Sequence, residues 1–164
     1  MAGHRLDLRL HLADSAASEA FGARLAEALR EADGGVIYLI GTLGAGKTTI
    51  ARALLRHLGV TGAIKSPTYT LMEPYEVDGR RLLHMDFYRI EAADLEQLGL
   101  DDYPTDSTLW LVEWPEKVAG ALPPADLELH LMAEAQGRSL LLKAPDKAKK
   151  WVDTLSAAIH RDST

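Results

Sequence analysis

The sequence predicts an α/β sheet with a parallel centre, antiparallel additions and helices on both faces, and three observations predict it. The apolar run VIYLI (residues 36–40) passes straight into a glycine loop and an amphipathic helix, as the buried strands of parallel sheets do. A second unbroken apolar run, STLWLVEW (107–114), has the same buried character. Two further pairs of strand-like segments flank Asp78-Gly79 and Gln136-Gly137, which are turn signals of antiparallel hairpins. Nothing repeats and no stretch is low in complexity, so residues 1–164 read as one domain.

RLDLRLHL (5–12) alternates Leu6, Leu8, Leu10 and Leu12 with polar residues, the period of a half-buried strand. Asp14 or Ser15 can cap a helix whose stripe is Phe21, Leu25, Ala28 and Leu29, ending before Gly34-Gly35. From Lys47, Ile50, Leu54 and Leu58 recur every fourth residue until Gly59 stops the next helix. YTLMEPYEV (69–77) and RRLLHMDFYRI (80–90) form the first hairpin, and EAADLEQLGL (91–100) a short helix. The strand 107–114 leads into a proline-bearing loop. DLELHLM (126–132) and RSLLLKA (138–144) form the second hairpin, and Pro145 to His160 is a helix with Trp151, Leu155, Ala158 and Ile159 on one face.

The chemistry begins at GTLGAGKTT (41–49). Gly41, four residues, then Gly46-Lys47-Thr48 is the phosphate-binding P-loop pattern, and its strand-before, helix-after setting makes the sheet P-loop NTPase-like. The glycines allow Gly44, Ala45 and Gly46 to turn their backbone N–H groups toward phosphate oxygens. The helix N-terminus adds free amides and a positive dipole end. Lys47 reaches the β- and γ-phosphates, Thr48 serves Mg²⁺ and Thr49 touches the α-phosphate.

Such a site needs a carboxylate at the end of a neighbouring strand, and two are available: Asp86 after RLLHM and Glu113 after LWLV. One would serve the metal and the other the attacking water; the residues alone leave open which does what. KSPTYT (65–70) places the hydroxyls of Ser66 and Thr68 around a proline, which reads either as an ordinary turn or as a γ-phosphate sensor. Trp114 is either a core aromatic or a contact residue. His84 and Arg89 flank Asp86, and a histidine alternating on a strand is more often structural than catalytic.

Composition narrows the class. A net charge of −6 argues against broad nucleic-acid binding, and the cluster Lys147, Lys149, Lys150 reads as a solvated helix face. The absence of cysteine removes disulfide and thiolate chemistry. Neither a signal sequence nor a membrane span is visible, which predicts a cytoplasmic protein. With no asparagine anywhere, the guanine-selecting Asn-Lys-x-Asp motif is absent in its standard form, which favours ATP. A small-molecule or nucleotide kinase is the rival reading; Arg80, Arg81, Arg89, Arg138 and Arg161 make no lid-like cluster. A transporter ATPase would need a signature loop and a helical subdomain, for which the chain is too short.

GTLGAGKTT, KSPTYTLMEPY, HMDFYR, DLEQLGLDDY and LVEWPE, in this order over residues 41–116, resemble the TsaE family of P-loop proteins in tRNA threonylcarbamoyladenosine formation. The resemblance implies an ATP-binding, weakly hydrolysing protein that regulates or resets the transferase partners TsaD and TsaB, with tRNA reached only through them. It implies that Gly44 to Thr49 cradle the phosphates, that Thr48 and Glu113 hold Mg²⁺ and that Asp86 is a Walker-B-like acid. It makes Ser66 to Thr70 the switch-like segment and Trp114 a nucleotide-dependent or partner contact, and it brings Ser15 and Gly137 close to the nucleotide. One departure stands out: Thr42 occupies a position where the family has Asp, which puts that acid's role in positioning water in doubt and is expected to alter turnover more than binding.

Overall fold

The computed structural model describes residues 5–162; residues 1–4 and 163–164 of the expected single domain lie outside the described residues. Seven strands form one sheet: β1 (Arg5–Leu12), β2 (Gly35–Gly41), β3 (Met72–Val77), β4 (Arg80–Asp86), β5 (Thr108–Glu113), β6 (Leu127–Ala133) and β7 (Arg138–Pro145). Their spatial order is β1-β7-β6-β2-β5-β4-β3. Strands β6, β2, β5 and β4 run parallel, while β1 on β7, β7 on β6 and β3 on β4 are antiparallel. The parallel centre and both antiparallel additions are therefore as the sequence predicts.

Four α-helices accompany the sheet: α1 (Ser15–Leu29), α2 (Lys47–Leu58), α3 (Asp94–Gln97) and α4 (Lys149–Asp162). Asp14 caps α1, its Oδ1 accepting from the Ala17 amide at 2.8 Å. Gly59 ends α2 in the left-handed region. The two sheet faces are covered unequally. Phe21, Leu25 and Leu29 of α1, Ile50 and Leu54 of α2 and Leu155 of α4 share one core with Ile37, Leu39, Leu109, Leu111 and Leu129. On the opposite face Val36, Leu83, Met85, Trp110 and Val112 pack under Phe87 and the segment carrying Ile90, Leu95, Leu98 and Tyr103. Only α3 and short 3₁₀ turns contribute helix there.

Two boundaries differ from the sequence reading. The last helix starts at Lys149, not Pro145, because β7 pairs through Pro145 with Arg5 and a 3₁₀ turn over Asp146–Ala148 intervenes. The short helix shrinks to Asp94–Gln97, since Gly99 takes a left-handed conformation. Tyr69–Leu71 and Phe87–Arg89, expected within the first hairpin, lie in the turns at its ends.

Strand alternation then decides which side chains meet. Leu82 points into the helix-side core and Leu83 into the other, so His84 and Asp86 face α2. On β5 the same parity sends Leu109, Leu111 and Glu113 to that face. Asp86 and Glu113 are direct register partners at the carboxyl ends of two parallel strands, beside the end of β2 from which the glycine loop emerges.

Candidate nucleotide site

The loop between β2 and α2 is shaped by its glycines. Gly46 caps α2 with φ of 102°, a conformation that favours glycine, and a Cβ there would lie 2.9 Å from Arg138 Nη1. The Arg138 guanidinium in turn donates to the Gly44 carbonyl at 2.7 Å, which ties the start of β7 to the loop. Below the loop, Leu43 to Thr49, Thr68, Asp86, Tyr88, Arg89, Glu113, Trp114 and Arg138 line a cleft of about 500 Å³. A larger depression, about 920 Å³, lies at the opposite end of the strands around Arg80; it is lined by the acids Glu31, Asp33, Asp78 and Asp106 but by no lysine and no part of the glycine loop.

The acids are held by burial and by specific donors. Glu113 is 2% exposed and His84 0%. Glu113 Oε1 accepts from the Thr48 hydroxyl at 2.9 Å, and Oε2 lies 2.7 Å from His84 Nε2. Asp86 Oδ1 accepts from the Tyr88 amide at 3.0 Å. Burial pushes the Asp86 carboxyl above its ordinary range; Glu113's charge adds to this, while the Tyr88 amide, His84 and Lys47 oppose it. Lys47 is buried too. Its ammonium donates to the Gly41 carbonyl and to the Thr42 carbonyl at 3.3 Å, and it sits 3.8 Å from the Trp114 ring centroid. Burial pulls its pKa down, opposed by the charges of Glu113, Glu116 and Asp86. Trp114 reaches that position through a left-handed backbone, φ of 58°, which is uncommon for a side chain of this size. It also stacks on Tyr88 at 4.9 Å.

Gly44, Ala45, Gly46, Lys47, Thr48, Thr49, Asp86 and Glu113 thus converge, and Thr68 and Trp114 line the same cleft. Ser66 bonds to Thr68, Oγ to Oγ1 at 2.8 Å, next to it. Ser15 and Gly137 do not line the cleft. Gly137, with φ of 84°, packs where a Cβ would lie 2.3 Å from the Leu12 carbonyl, just before the α1 cap. The sequence reading missed Arg138 as a loop contact, although it directly follows the glycine named; it also set His84 aside, and its position two residues before Asp86 on one strand face was the available signal.

A match to the family model "Threonylcarbamoyl adenosine biosynthesis protein TsaE" spans residues 12–140. The chain belongs to the TsaE family. Its curated relatives include the tRNA threonylcarbamoyladenosine biosynthesis protein TsaE of Haemophilus influenzae, 42% identical over 110 residues that cover 66% of this chain and 70% of that protein. The protein of the same name from Streptomyces coelicolor is 41% identical over 114 residues, covering 67% and 75%. Among solved structures, Bacillus subtilis YdiB superposes with a TM-score of 0.73 at 28% identity, over 96% of this chain and 97% of the other. The resemblance first drawn from five short motifs is thereby shown, as is the fold. No helix among the described residues is long and apolar enough to cross a membrane.

The residues of this TsaE-family chain suit magnesium by donor type. Thr48, Glu113 and Asp86 offer hard oxygens, and among the described residues no cluster of three His, Cys, Asp or Glu forms an all-protein cage. Magnesium is held in just that way, by one or two protein oxygens with substrate phosphates completing its shell.

Proposed function

We propose that the chain binds ATP with Mg²⁺ in this cleft and hydrolyses it slowly. In this reading the hydrolytic cycle regulates or resets the partners TsaD and TsaB, so that the chain serves tRNA threonylcarbamoyladenosine formation without touching tRNA itself. The observation that carries the reading is the contact between Thr48 and Glu113, with Asp86 beside them in register: a P-loop hydroxyl, and two carboxylates at adjoining strand ends.

The amides of Gly44 to Thr49 bind the phosphates, and Lys47 exchanges the Gly41 and Thr42 carbonyls for β- and γ-phosphate oxygens. The same ammonium lies against the Trp114 ring, so phosphate binding at Lys47 changes the charge surroundings of the indole. Thr48 and Glu113 would hold Mg²⁺, which would supply positive charge to the phosphates. Asp86, whose burial makes its ionised carboxylate a stronger base, orients the attacking water and takes its proton. Ser66 and Thr68 sense the γ-phosphate.

Phosphate release from ATP, measured with and without TsaD and TsaB, tests this. Slow release that the partners accelerate is expected. Transfer of the γ-phosphate to a small acceptor would replace this reading with a kinase, and nucleotide-dependent association without turnover would reduce it to a gated binding module.

A further inference from the structure

We propose that His84 is a positioning residue for Glu113: it claims one carboxylate oxygen so that the other is presented to Thr48 and to the magnesium-nucleotide that Thr48 serves. The inference rests on the function proposed above. Three residues form a continuous line through the sheet–helix interface. His84 Nε2 meets Glu113 Oε2 at 2.7 Å, and Glu113 Oε1 meets Thr48 Oγ1 at 2.9 Å. Both inner members are almost wholly removed from water. A buried carboxylate needs donors on its oxygens, and here each oxygen has one.

The other ring nitrogen shows that the contact is directional. His84 Nδ1 is buried and has no hydrogen-bond partner among the described residues. A histidine kept only to fill the core would not require a polar atom orphaned at such a place, where an apolar residue of similar volume packs without that cost. With Nδ1 unpartnered, the ring's whole polar function is the Nε2–H donated to Glu113. Rotation of the carboxylate about its last bond is then blocked at one end by His84 and at the other by Thr48. Outer-sphere partners of this kind typically change metal affinity by about 10- to 100-fold when removed.

The side-chain geometry supplies the test. Glutamine places its amide nitrogen near the Nε2 position, asparagine near Nδ1, and leucine offers no donor. Nucleotide affinity is measured by calorimetry for the full chain and for H84Q, H84N and H84L, with ATP in chelator and with ATP in magnesium; melting without nucleotide reports folding. The expected result is that H84N loses about tenfold of the affinity gained on adding magnesium, while H84Q keeps it and all hold their chelator affinity. H84L is expected to behave as H84N; if it fails to fold, the contrast between H84Q and H84N decides. An undiminished magnesium gain in H84N overturns the proposal, and so does an equal loss in H84Q and H84N. If the unaltered chain itself gains nothing from magnesium, the magnesium assignment to Thr48 and Glu113 fails, and this inference falls with it.

Discussion

The two walls of the cleft are built on opposite terms. On the β4–β5 wall, His84, Asp86 and Glu113 are buried and fixed by the sheet register, by Thr48 and by the Tyr88 amide. On the facing segment Ser66 and Thr70 are exposed, and Tyr69 is 80% exposed. The hydroxyls there bond chiefly to one another and to Glu73. The segment is anchored at one end, where the Leu71 amide donates to the Pro67 carbonyl and the Asp86 amide to the Leu71 carbonyl. Charge that must stay in register is supplied by strands. The group proposed to respond to the γ-phosphate is supplied by a loop whose hydrogen bonds reach Glu73 and Tyr75 on β3 and the Asp86 amide on β4.

Breaking each wall separately tests that contrast, and the fixed wall should fail hardest. E113A removes an acceptor from the buried His84 and the half-buried Thr48, so a stability loss of about 1–3 kcal/mol is expected in urea titration. Hydrolysis with the partners present should fall on the order of a hundredfold. S66A/T68A removes hydroxyls that bond to each other at an exposed and a half-buried position, so it should cost less than about 1 kcal/mol of stability and lower partner-stimulated hydrolysis by roughly tenfold. Equal destabilisation by the two changes would erase the distinction between the walls.

How far this could be read from the sequence follows the same division. The P-loop and both strand-end acids were legible, because apolar runs ending in one carboxylate have a fixed physical meaning at the edge of a parallel sheet. Thr48 and Glu113 lie within hydrogen-bonding distance of each other. His84 was legible only in part: strand parity puts it on the same face as Asp86, but the register with β5 that brings it to Glu113 is encoded by no local pattern. Arg138 was hidden for a similar reason, since its contact with Gly44 joins residues far apart in the chain. The unequal covering of the two faces was also out of reach, because Ile90 and Tyr103 pack from non-helical segments, and Leu95 from a helix of four residues, too short to show periodicity.

The buried wall should also show itself in pH dependence. Burial holds the folded Asp86 carboxyl above its ordinary value of 3.8, so the folded chain keeps a proton that the unfolded chain releases. The stability tied to that proton is fully present below the ordinary value and is lost as pH rises through the raised one. D86N keeps an oxygen for the Tyr88 amide and escapes the loss. Urea titrations should find D86N more stable than the unaltered chain at pH 7, with the advantage fading as pH falls to about 4. An advantage that grows on acidification would mean Asp86 is stabilised as the anion.

The smallest effect is expected where the loop, and not either wall, is altered. Thr42 is exposed and contributes through its main chain: its carbonyl accepts from the Ala45 amide at 3.1 Å and from Lys47 at 3.3 Å. A side-chain change there leaves those bonds in place. T42D introduces the acid expected there from the family resemblance, at a solvent-facing position where a single added charge is worth roughly 0–1 kcal/mol. ATP affinity by calorimetry should therefore change by less than about threefold, while the hydrolysis rate rises a few-fold if the acid helps to place water. A tenfold loss of affinity would show the side chain pressing on the phosphates, and would make the loop a third kind of wall, one that binds through side chains as well as through its amides.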